Sequence, residues 1–371
     1  MKVIMTGGGT GGHIYPAVAI AEKIRENIPS AEILFIGTKR GKESELVPAA
    51  GFDIKFINVH GIDRKNMIRN IKVLMEYSSA KKDAGRIIEA FGPDAVIGTG
   101  GYVSAPVVKA AAAIGIPCYI HEQNAIPGLT NKMMEKYVKK VFLAFPEAGK
   151  GLKEPEKHVV TGNPVRREFF ETDRAKARKE LGISSEDFVI LAFGGSQGAG
   201  RINRAMIRIT KEYSGQDGTQ VFFGTGGYYY VPVMNELAEK KIEIGENIHI
   251  MNYINDMCRY ISAADLVISR SGALTVSEIA VCGTPSILIP SPVVTGDHQT
   301  FNAKVLADRE GAVLIDEKDL TDEMLLTAVE DLRKDRARLE AMSKNSRKCA
   351  PLDAADIIYH DIFRRDGNGN Q

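Results

Sequence analysis

An apolar run that stops at a cluster of glycines and restarts as a helix limits what this chain can become more than any other feature, and it occurs twice. Lys2–Thr6 runs into Gly7-Gly8-Gly9-Thr10-Gly11-Gly12 and then into an amphipathic stretch, His13–Asn27. Phe188–Phe193 runs into Gly194-Gly195-Ser196-Gln197-Gly198-Ala199. Glycines let a backbone approach a ligand closely, and a helix that starts there offers unpaired N–H groups and a positive dipole end. The rest of the chain keeps the same rhythm. Glu32–Gly37, Ala95–Thr99, Pro117–His121 and Val141–Phe145 read as further buried parallel strands of a first series. Gln220–Gly224, Ile248–Asn252, Leu266–Ser269, Ser286–Ile289 and Ala312–Ile315 continue the second. In the first helix Ile14, Val18, Ala21 and Ile24 share a face, with Pro16 accommodated in the first turn. Helical periodicity returns from about Asp322 to Phe363, and Asp366–Gln371 should fray.

Two such series predict an α/β protein of two Rossmann-like, doubly wound parallel-sheet domains. The length of 371 residues agrees, being too great for one ordinary core. Thr161-Gly162-Asn163-Pro164, where the periodicity resets, marks the join. The expected domains are 1–163 and 164–349, with a terminal helix at about 350–366 that can pack back on the first.

The formal net charge is only +1, but it is unevenly spread. Residues 1–163 hold 22 Lys and Arg against 16 Asp and Glu, whereas 164–371 hold 26 against 31. A basic first half suits an anionic partner such as a phosphate group, nucleic acid or an acidic membrane surface. Residues 64–86 interleave Arg64, Lys65, Arg69, Lys72, Lys81, Lys82 and Arg86 with Met67, Ile68, Ile71, Leu74 and Met75. Lys132, Lys136, Lys139 and Lys140 form a second basic cluster. Such faces fit an anionic leaflet, although a solvated helix over a core gives the same periodicity. The chain shows no basic–aromatic interleaving or recognised module for nucleic acid, and that partner is not expected. No apolar run approaches the roughly 20 residues of a membrane span, and Met1–Thr6 already reads as a strand, so no leader is expected. Cys118, Cys258, Cys282 and Cys349 are widely spaced, which fits reduced thiols better than disulfides or zinc.

Three motifs carry chemistry. In the first glycine turn Gly7, Gly9 and Gly12 satisfy GxGxxG, but the next strand ends Gly37-Thr38-Lys39-Arg40-Gly41 without the acid that a NAD ribose requires. Lys39 and Arg40 keep an NADP-type oxidoreductase open as an alternative. In the second turn Ser196 and its neighbouring N–H groups suit a phosphate, unless this is merely a tight βα turn. The third motif is Ser269-Arg-Ser-Gly-Ala-Leu-Thr-Val-Ser-Glu278, followed by Gly283-Thr-Pro285. A helix starting near Ala273 offers its N-terminus to a diphosphate, and Glu278 stands where a carboxylate accepts hydrogen bonds from both ribose hydroxyls.

A glycine loop ending in His13, with a Glu-bearing helix before Gly-Thr-Pro, resembles the GT-B class of nucleotide-sugar glycosyltransferases. Gly98-Thr-Gly-Gly-Tyr-Val-Ser-Ala-Pro106, His121-Glu-Gln-Asn124, Gly162-Asn-Pro-Val-Arg166 and Asp297-His-Gln-Thr-Phe-Asn302 extend the likeness over nearly the whole chain. These motifs are similar to one family of that class, the N-acetylglucosaminyltransferases of peptidoglycan synthesis. The resemblance implies two domains facing a central cleft and an inverting transfer of GlcNAc. The donor is UDP-GlcNAc, and the acceptor is the MurNAc C4 hydroxyl of lipid I, which becomes lipid II. It further implies a peripheral place on the cytoplasmic face of the cell membrane, a wall-synthesis complex as partner, and a part in cell shape and division.

Residue by residue, the likeness puts Ser196 on the diphosphate, and Ala273, Leu274, Thr275, Val276 and Ser277 at the helix N-terminus. Glu278 falls on the ribose, Ile254 on uracil through its backbone, and Arg166 on the nucleotide sugar. His298 and Gln299 fall on the sugar hydroxyls, with Thr10, Gly11, Gly12 and Asn124 closing from the first domain. His13 is the first candidate base, with Glu122 and Tyr102 as competitors. The chain contains no Asp-x-Asp motif, so neither metal nor cofactor is expected. Another GT-B transferase with a different lipid or small-molecule acceptor, and a non-catalytic sugar-nucleotide binder, remain as alternatives.

Overall fold

The structure, a computed structural model, describes residues 1–61, 67–195, 197–350 and 353–364, with side chains for all of these but 67–74 and 295. It divides into two compact units, Met1–Arg166 with the C-terminal helix, and Arg167–Ala350.

In the first unit β1 (Lys2–Thr6), α1 (Gly11–Asn27), β2 (Glu32–Gly37), α2 (Glu43–Ala49), β3 (Asp53–Phe56) and α3 (Met67–Phe91) come first. Then follow β4 (Ala95–Gly98), α4 (Ser104–Ala113), β5 (Cys118–Glu122), α5 (Leu129–Met134), β6 (Lys140–Leu143) and β7 (His158–Val160). The strands form one sheet in the order β3-β2-β1-β4-β5-β6-β7, and every pairing is parallel. A parallel sheet needs both faces covered, and alternate residues supply the two layers. Ile4, Ile36, Val96 and Ile120 pack with Ala80, Ala84 and Ile88 of α3. Val3, Met5, Phe35 and Ile97 pack with Ile14, Ala17 and Ala21 of α1.

The second unit opens with α6 (Glu168–Glu171), α7 (Arg174–Leu181), β8 (Phe188–Phe193), α8 (Gly200–Tyr213), β9 (Thr219–Gly224), α9 (Tyr230–Glu239) and β10 (Ile248–Met251). It continues with α10 (Met257–Ala263), β11 (Leu266–Ser269), α11 (Ala273–Cys282), β12 (Ser286–Leu288), α12 (His298–Ala307), β13 (Ala312–Leu314), α13 (Asp322–Lys334) and α14 (Arg336–Lys348). Its sheet runs β10-β9-β8-β11-β12-β13, again parallel throughout. Each sheet reverses its winding once, between β1 and β4 and between β8 and β11. At such switch points the loops after the two strands diverge and leave a crevice.

Several local expectations shift. β3 and β7 were not expected. Both are edge strands, and β3 alternates exposed and half-buried positions, so it offers no continuous apolar run. The first helix begins at Gly11, which places Pro16 beyond the first turn and inside the helix. Because proline has no N–H, the carbonyl of Gly12 loses its helical partner there. The 322–363 pattern breaks into α13, α14 and α15 (Ala354–Phe363). The chain leaves the first unit just beyond the Thr161–Pro164 turn, because this turn is itself fixed to that unit. Thr161 and Asn163 are buried, Asn163 Nδ2 donates to the Gln123 carbonyl at 3.1 Å, and Val165 is buried too.

The chain returns to the first unit through α15, which lies against α1. Lys23 of α1 meets Asp353 at 3.2 Å and Asp356 at 3.4 Å, and Lys140 bonds Asp361. These are partly exposed pairs of small worth. The stronger tie is Ile358, fully buried among Val3, Met5 and Ile14. Truncating it to alanine should cost the first unit about 2–4 kcal/mol, read as a lower denaturation midpoint, with little change in the unfolding of the second.

Candidate functional site

At the first switch point two glycine turns cross. A Cβ on Gly101 would lie 2.3 Å from the Gly8 carbonyl oxygen, and both Gly100 and Gly101 have positive φ, +99° and +78°. The crossing is held from below by Glu43, at the start of α2 and fully buried. Its Oε2 accepts from the Gly9 N–H at 2.9 Å, and its Oε1 accepts from the N–H and hydroxyl of Thr38 at 2.9 and 2.7 Å. The carboxylate so held occupies an N–H of the GxGxxG turn. Arg40, the cation considered for an NADP phosphate, donates instead to His60 Nε2 at 2.6 Å.

His13 stands in the first turn of α1 with its ring against Gly100, where a Cβ would come within 2.9 Å of Nδ1. Nδ1 lies 2.9 Å from Gln123 Oε1 and 3.0 Å from the Thr99 carbonyl. Its own carbonyl accepts from the Thr99 hydroxyl at 2.6 Å. Thr10 is the N-cap of α1 and makes no side-chain cap bond, and no acid stands in the first turn. No side chain of the helix itself offsets its positive end at Gly11 and Gly12; the Glu43 carboxylate on the Gly9 N–H is the anion beside it. Tyr102 lies along the turn, its ring 3.3 Å from where a Gly9 Cβ would stand and its hydroxyl 3.4 Å from Thr38 Oγ1. Arg166 stacks on Tyr15 of α1, with its guanidinium 5.4 Å from the ring centre.

Glu122, expected as a competing base, is instead fully engaged. Oε1 accepts from the N–H and Nδ2 of Asn124 at 3.0 and 3.1 Å, and Oε2 from Gly128 N–H and Asn131 Nδ2, both at 2.8 Å. The carboxylate is buried and shapes the 123–131 turn that carries Asn124. Neighbouring His121 is completely buried, and burial, with a lesser push from His13, lowers its pKa to about 4 against the raising effect of the Gly162 carbonyl. Cys118 and Cys282 are raised to about 12, chiefly by burial, and stay protonated.

In the second unit the turn after β8 crosses the one after β9, the neighbouring strand on the side away from the switch point. A Cβ on Gly198 would lie 2.1 Å from the Thr225 carbonyl oxygen. At the switch point this turn and the start of α11 line a cavity of about 1000 Å³, with Arg201, Arg204, Arg270, Thr275, Ser291 and Gln299 in its walls. Gly272 caps α11 without a side-chain bond, and its first turn holds no acid. Thr275 lines the cavity, Leu274 and Glu278 are half-buried, and Ala273, Val276 and Ser277 are buried. Gln299 is held at both ends, with Oε1 accepting from Ser291 N–H at 2.9 Å and its carbonyl accepting from the Ser271 hydroxyl at 2.8 Å. His298 opens α12 after Asp297 in the left-handed conformation. Ile254 is buried against Gly224. Ser196 lies outside the described residues. Among the described residues no cluster of His, Cys, Asp and Glu is suited to a metal ion.

Both turns, His13 and the α11 N-terminus lie at the heads of the two sheets, and four further residues that the sequence did not single out stand beside them. Glu43 follows the end of β2 at the start of the next helix, a signal overlooked because the acid was sought within the strand end. Gln123 sat unassigned inside His121-Glu-Gln-Asn124, as did Arg201 and Arg270 inside their motifs. Arg270 donates to the carbonyls of Ile289 and Pro290 at 3.1 and 3.0 Å and pairs with Glu317.

Two doubly wound parallel sheets, each with a crossed pair of glycine turns at its head and, at its switch point, a helix whose first turn holds no acid, define a GT-B-type nucleotide-sugar glycosyltransferase. Residues 3–143 match the glycosyltransferase family 28 N-terminal domain, and residues 189–358 match its C-terminal domain. A protein of Acetivibrio thermocellus is 44% identical over 98% of this chain and 97% of its own. One of Clostridioides difficile is 42% identical over 98% and 89%. Both are named UDP-N-acetylglucosamine–N-acetylmuramyl-(pentapeptide) pyrophosphoryl-undecaprenol N-acetylglucosamine transferase. The crystal structure of Acinetobacter baumannii MurG superposes with a TM-score of 0.77 at 29% identity, covering 98% of this chain and 99% of that one. A Neisseria meningitidis UDP-GlcNAc 2-epimerase shares the fold alone, at 13% identity and a TM-score of 0.69. The chain belongs to glycosyltransferase family 28 and, within it, to the MurG family of N-acetylglucosamine transferases.

Two predictions follow from this geometry. Gly100→Ala places a methyl against the His13 ring at a positive φ, and should lower turnover by about 10²-fold or more while UDP-GlcNAc affinity holds. His121 refuses between pH 6.5 and 4 a proton that the unfolded chain accepts. Its contribution to stability is whole above pH 6.5, falls as pH drops through that window, and levels off below 4, by about 3 kcal/mol at most. In His121→Gln, denaturant unfolding measured across the window should lose this slope.

Proposed function

We propose that the chain transfers GlcNAc from UDP-GlcNAc to the C4 hydroxyl of MurNAc in lipid I, releasing UDP and forming lipid II. Near-full-length identity with transferases named for this acceptor carries the reading, and the two sites supply its parts. His13 takes the proton of the attacking hydroxyl, which attacks C1 of GlcNAc from the face opposite UDP, so the anomeric centre inverts. A positioned base of this kind is worth about 10²–10⁴ in rate. The departing diphosphate meets the α11 N-terminus and the cations Arg201, Arg204 and Arg270, where preorganised positive potential favours the leaving charge. Glu278 holds the ribose, and the backbone at Ile254 holds uracil. Gln299, fixed from both sides, reads the sugar hydroxyls with His298. Ser196 holds the diphosphate. Arg166 serves the nucleotide sugar, and Thr10, Gly11, Gly12 and Asn124 serve the transferred sugar. Tyr102 shapes the acceptor side of the loop.

A lipid-linked acceptor calls for a membrane surface, and the first unit offers one. Met75 of α3 is 65% exposed, Ile114 after α4 48%, and Leu129 and Met133 of α5 56% and 45%. Helices α3, α4 and α5 pack in succession, and Lys82, Arg86, Lys132 and Lys136 are exposed on two of them or beside them. Cations near an anionic leaflet contribute about 1 kcal/mol each. Arg64 and Lys65, and the side chains of Met67, Ile68, Arg69, Ile71, Lys72 and Leu74, lie outside the described residues. Among the described residues no helix is long and apolar enough to cross a membrane. This supports peripheral attachment on the cytoplasmic face, with a wall-synthesis complex as the natural recipient of the product.

Labelled UDP-GlcNAc, a short-chain lipid I analogue and EDTA should yield labelled disaccharide-lipid. Donor binding without transfer would redirect the search to other acceptors. Glu278→Ala and Gln299→Ala should raise the donor Michaelis constant, and Asn124→Ala should lower turnover; wild-type kinetics in all three would remove the assignments. Sedimentation with vesicles should show tighter binding to anionic than to neutral lipid, weakened by Lys132→Glu with Met133→Ser.

A further inference from the structure

The buried polar residues behind His13 form one continuous chain whose direction is fixed by main-chain carbonyls. It begins at Gly162, in the turn that ends the first unit. His121 Nε2 lies 3.0 Å from the Gly162 carbonyl, which only accepts, so that nitrogen carries a hydrogen. His121 is fully buried and neutral, which leaves its Nδ1 as a lone pair. This lone pair faces Gln123 Nε2 at 2.9 Å, and the same amide nitrogen donates to the His121 carbonyl at 3.0 Å. Two acceptors meeting one atom settle which end of the amide is nitrogen. The other end, Oε1, therefore faces His13 Nδ1 at 2.9 Å, and the Thr99 carbonyl lies 3.0 Å from the same nitrogen. Both partners of Nδ1 are acceptors, so Nδ1 carries the proton of neutral His13. Its Nε2 has no hydrogen-bond partner among the described residues.

We propose that Gln123 and His121 are positioning residues that fix the proton of His13 on Nδ1 and thereby leave Nε2 as its basic nitrogen. Reversing the chain would turn an acceptor against each of the carbonyls of Gly162, His121 and Thr99, so it is held in one sense. A neutral imidazole has two tautomers, and only the one with a lone pair directed at the substrate serves as base. A carboxylate makes this selection in many hydrolases. Here a neutral amide does so, and it is oriented in turn by a buried histidine. The inference deepens the reading of His13 as base and names the residues that prepare it.

The test reads the tautomer directly. In wild-type protein labelled with [15N]histidine, long-range 1H–15N couplings at neutral pH should show His13 as the Nδ1–H tautomer and His121 as Nε2–H. A predominantly Nε2–H His13 in the free enzyme overturns the proposal, and this measurement requires no variant. Gln123→Met, which keeps the volume but removes both polar ends, should shift His13 towards a mixture of tautomers. It should also lower kcat between roughly tenfold and 100-fold with the Michaelis constant for UDP-GlcNAc little changed. An unchanged His13 spectrum and kcat in that variant also overturn it. His13→Ala kinetics keep the two readings apart. An active His13→Ala enzyme removes His13 as base, whereas the Nδ1–H assignment stands or falls on the spectrum alone.

Discussion

Each candidate site depends on two glycine turns crossing at contact distance at the head of a parallel sheet. In the first unit Gly8 lies against Gly101, and in the second Gly198 lies against Thr225 and Gly226. No side chain fits between them, so the two turns of each pair meet backbone to backbone. The helices that follow the first turn of each pair, α1 and α8, then start at defined points. His13 inherits its place from this crossing, because its ring rests on Gly100 and its main chain on Thr99. Catalytic groups tolerate little displacement, and here the tolerance is set by backbone contact rather than by flexible side chains.

The two crossings share a layout but differ in their occupants. In the first, the turn's Gly9 N–H is taken by a buried protein carboxylate, Glu43. Burying a charge is costly unless hydrogen bonds replace its water, and Glu43 receives three from Gly9 and Thr38. An anion is thus built into the place that a dinucleotide phosphate would need. In the second unit the corresponding crevice is open, about 1000 Å³, and walled by Arg201, Arg204 and Arg270. Glu317 pairs with Arg270 and Glu236 also lines the wall, so Arg201 and Arg204 are the cations that favour a nucleoside diphosphate there. On the proposed reading, one repeated motif serves a donor in one unit and a base in the other.

Much of this was legible in the sequence where burial imposes a pattern. β1, β2, β8 and β11 match their expected ends because most of each strand is an apolar run buried on both faces. β3 failed to register because Asp53 and Lys55 are wet on an edge strand. Glycine turns are legible because no other residue makes them. What stayed hidden were residues whose meaning lies in distant contacts. Gln123 gains its role from His13, 110 positions away, and Glu43 from Gly9, 34 positions away. Neither periodicity nor local motif encodes such pairings. Likewise the sequence shows Glu122 only as a carboxylate, and its four donors lie at Asn124, Gly128 and Asn131.

The choice of base follows from what each group has left to give. A carboxylate that accepts four hydrogen bonds must surrender at least one before it can take a proton, and each charge-assisted bond is worth about 1.5–3 kcal/mol. Glu122 is therefore better suited to holding Asn124 in place than to proton transfer. The Tyr102 hydroxyl lies 3.4 Å from Thr38 Oγ1. His13 alone of the three combines a ring nitrogen without a partner among the described residues and a ring pinned through the other one. The same two contacts that hold the imidazole also decide which nitrogen is basic. Orientation and protonation state at this position are thus one structural fact, set by carbonyls of the first unit's own backbone.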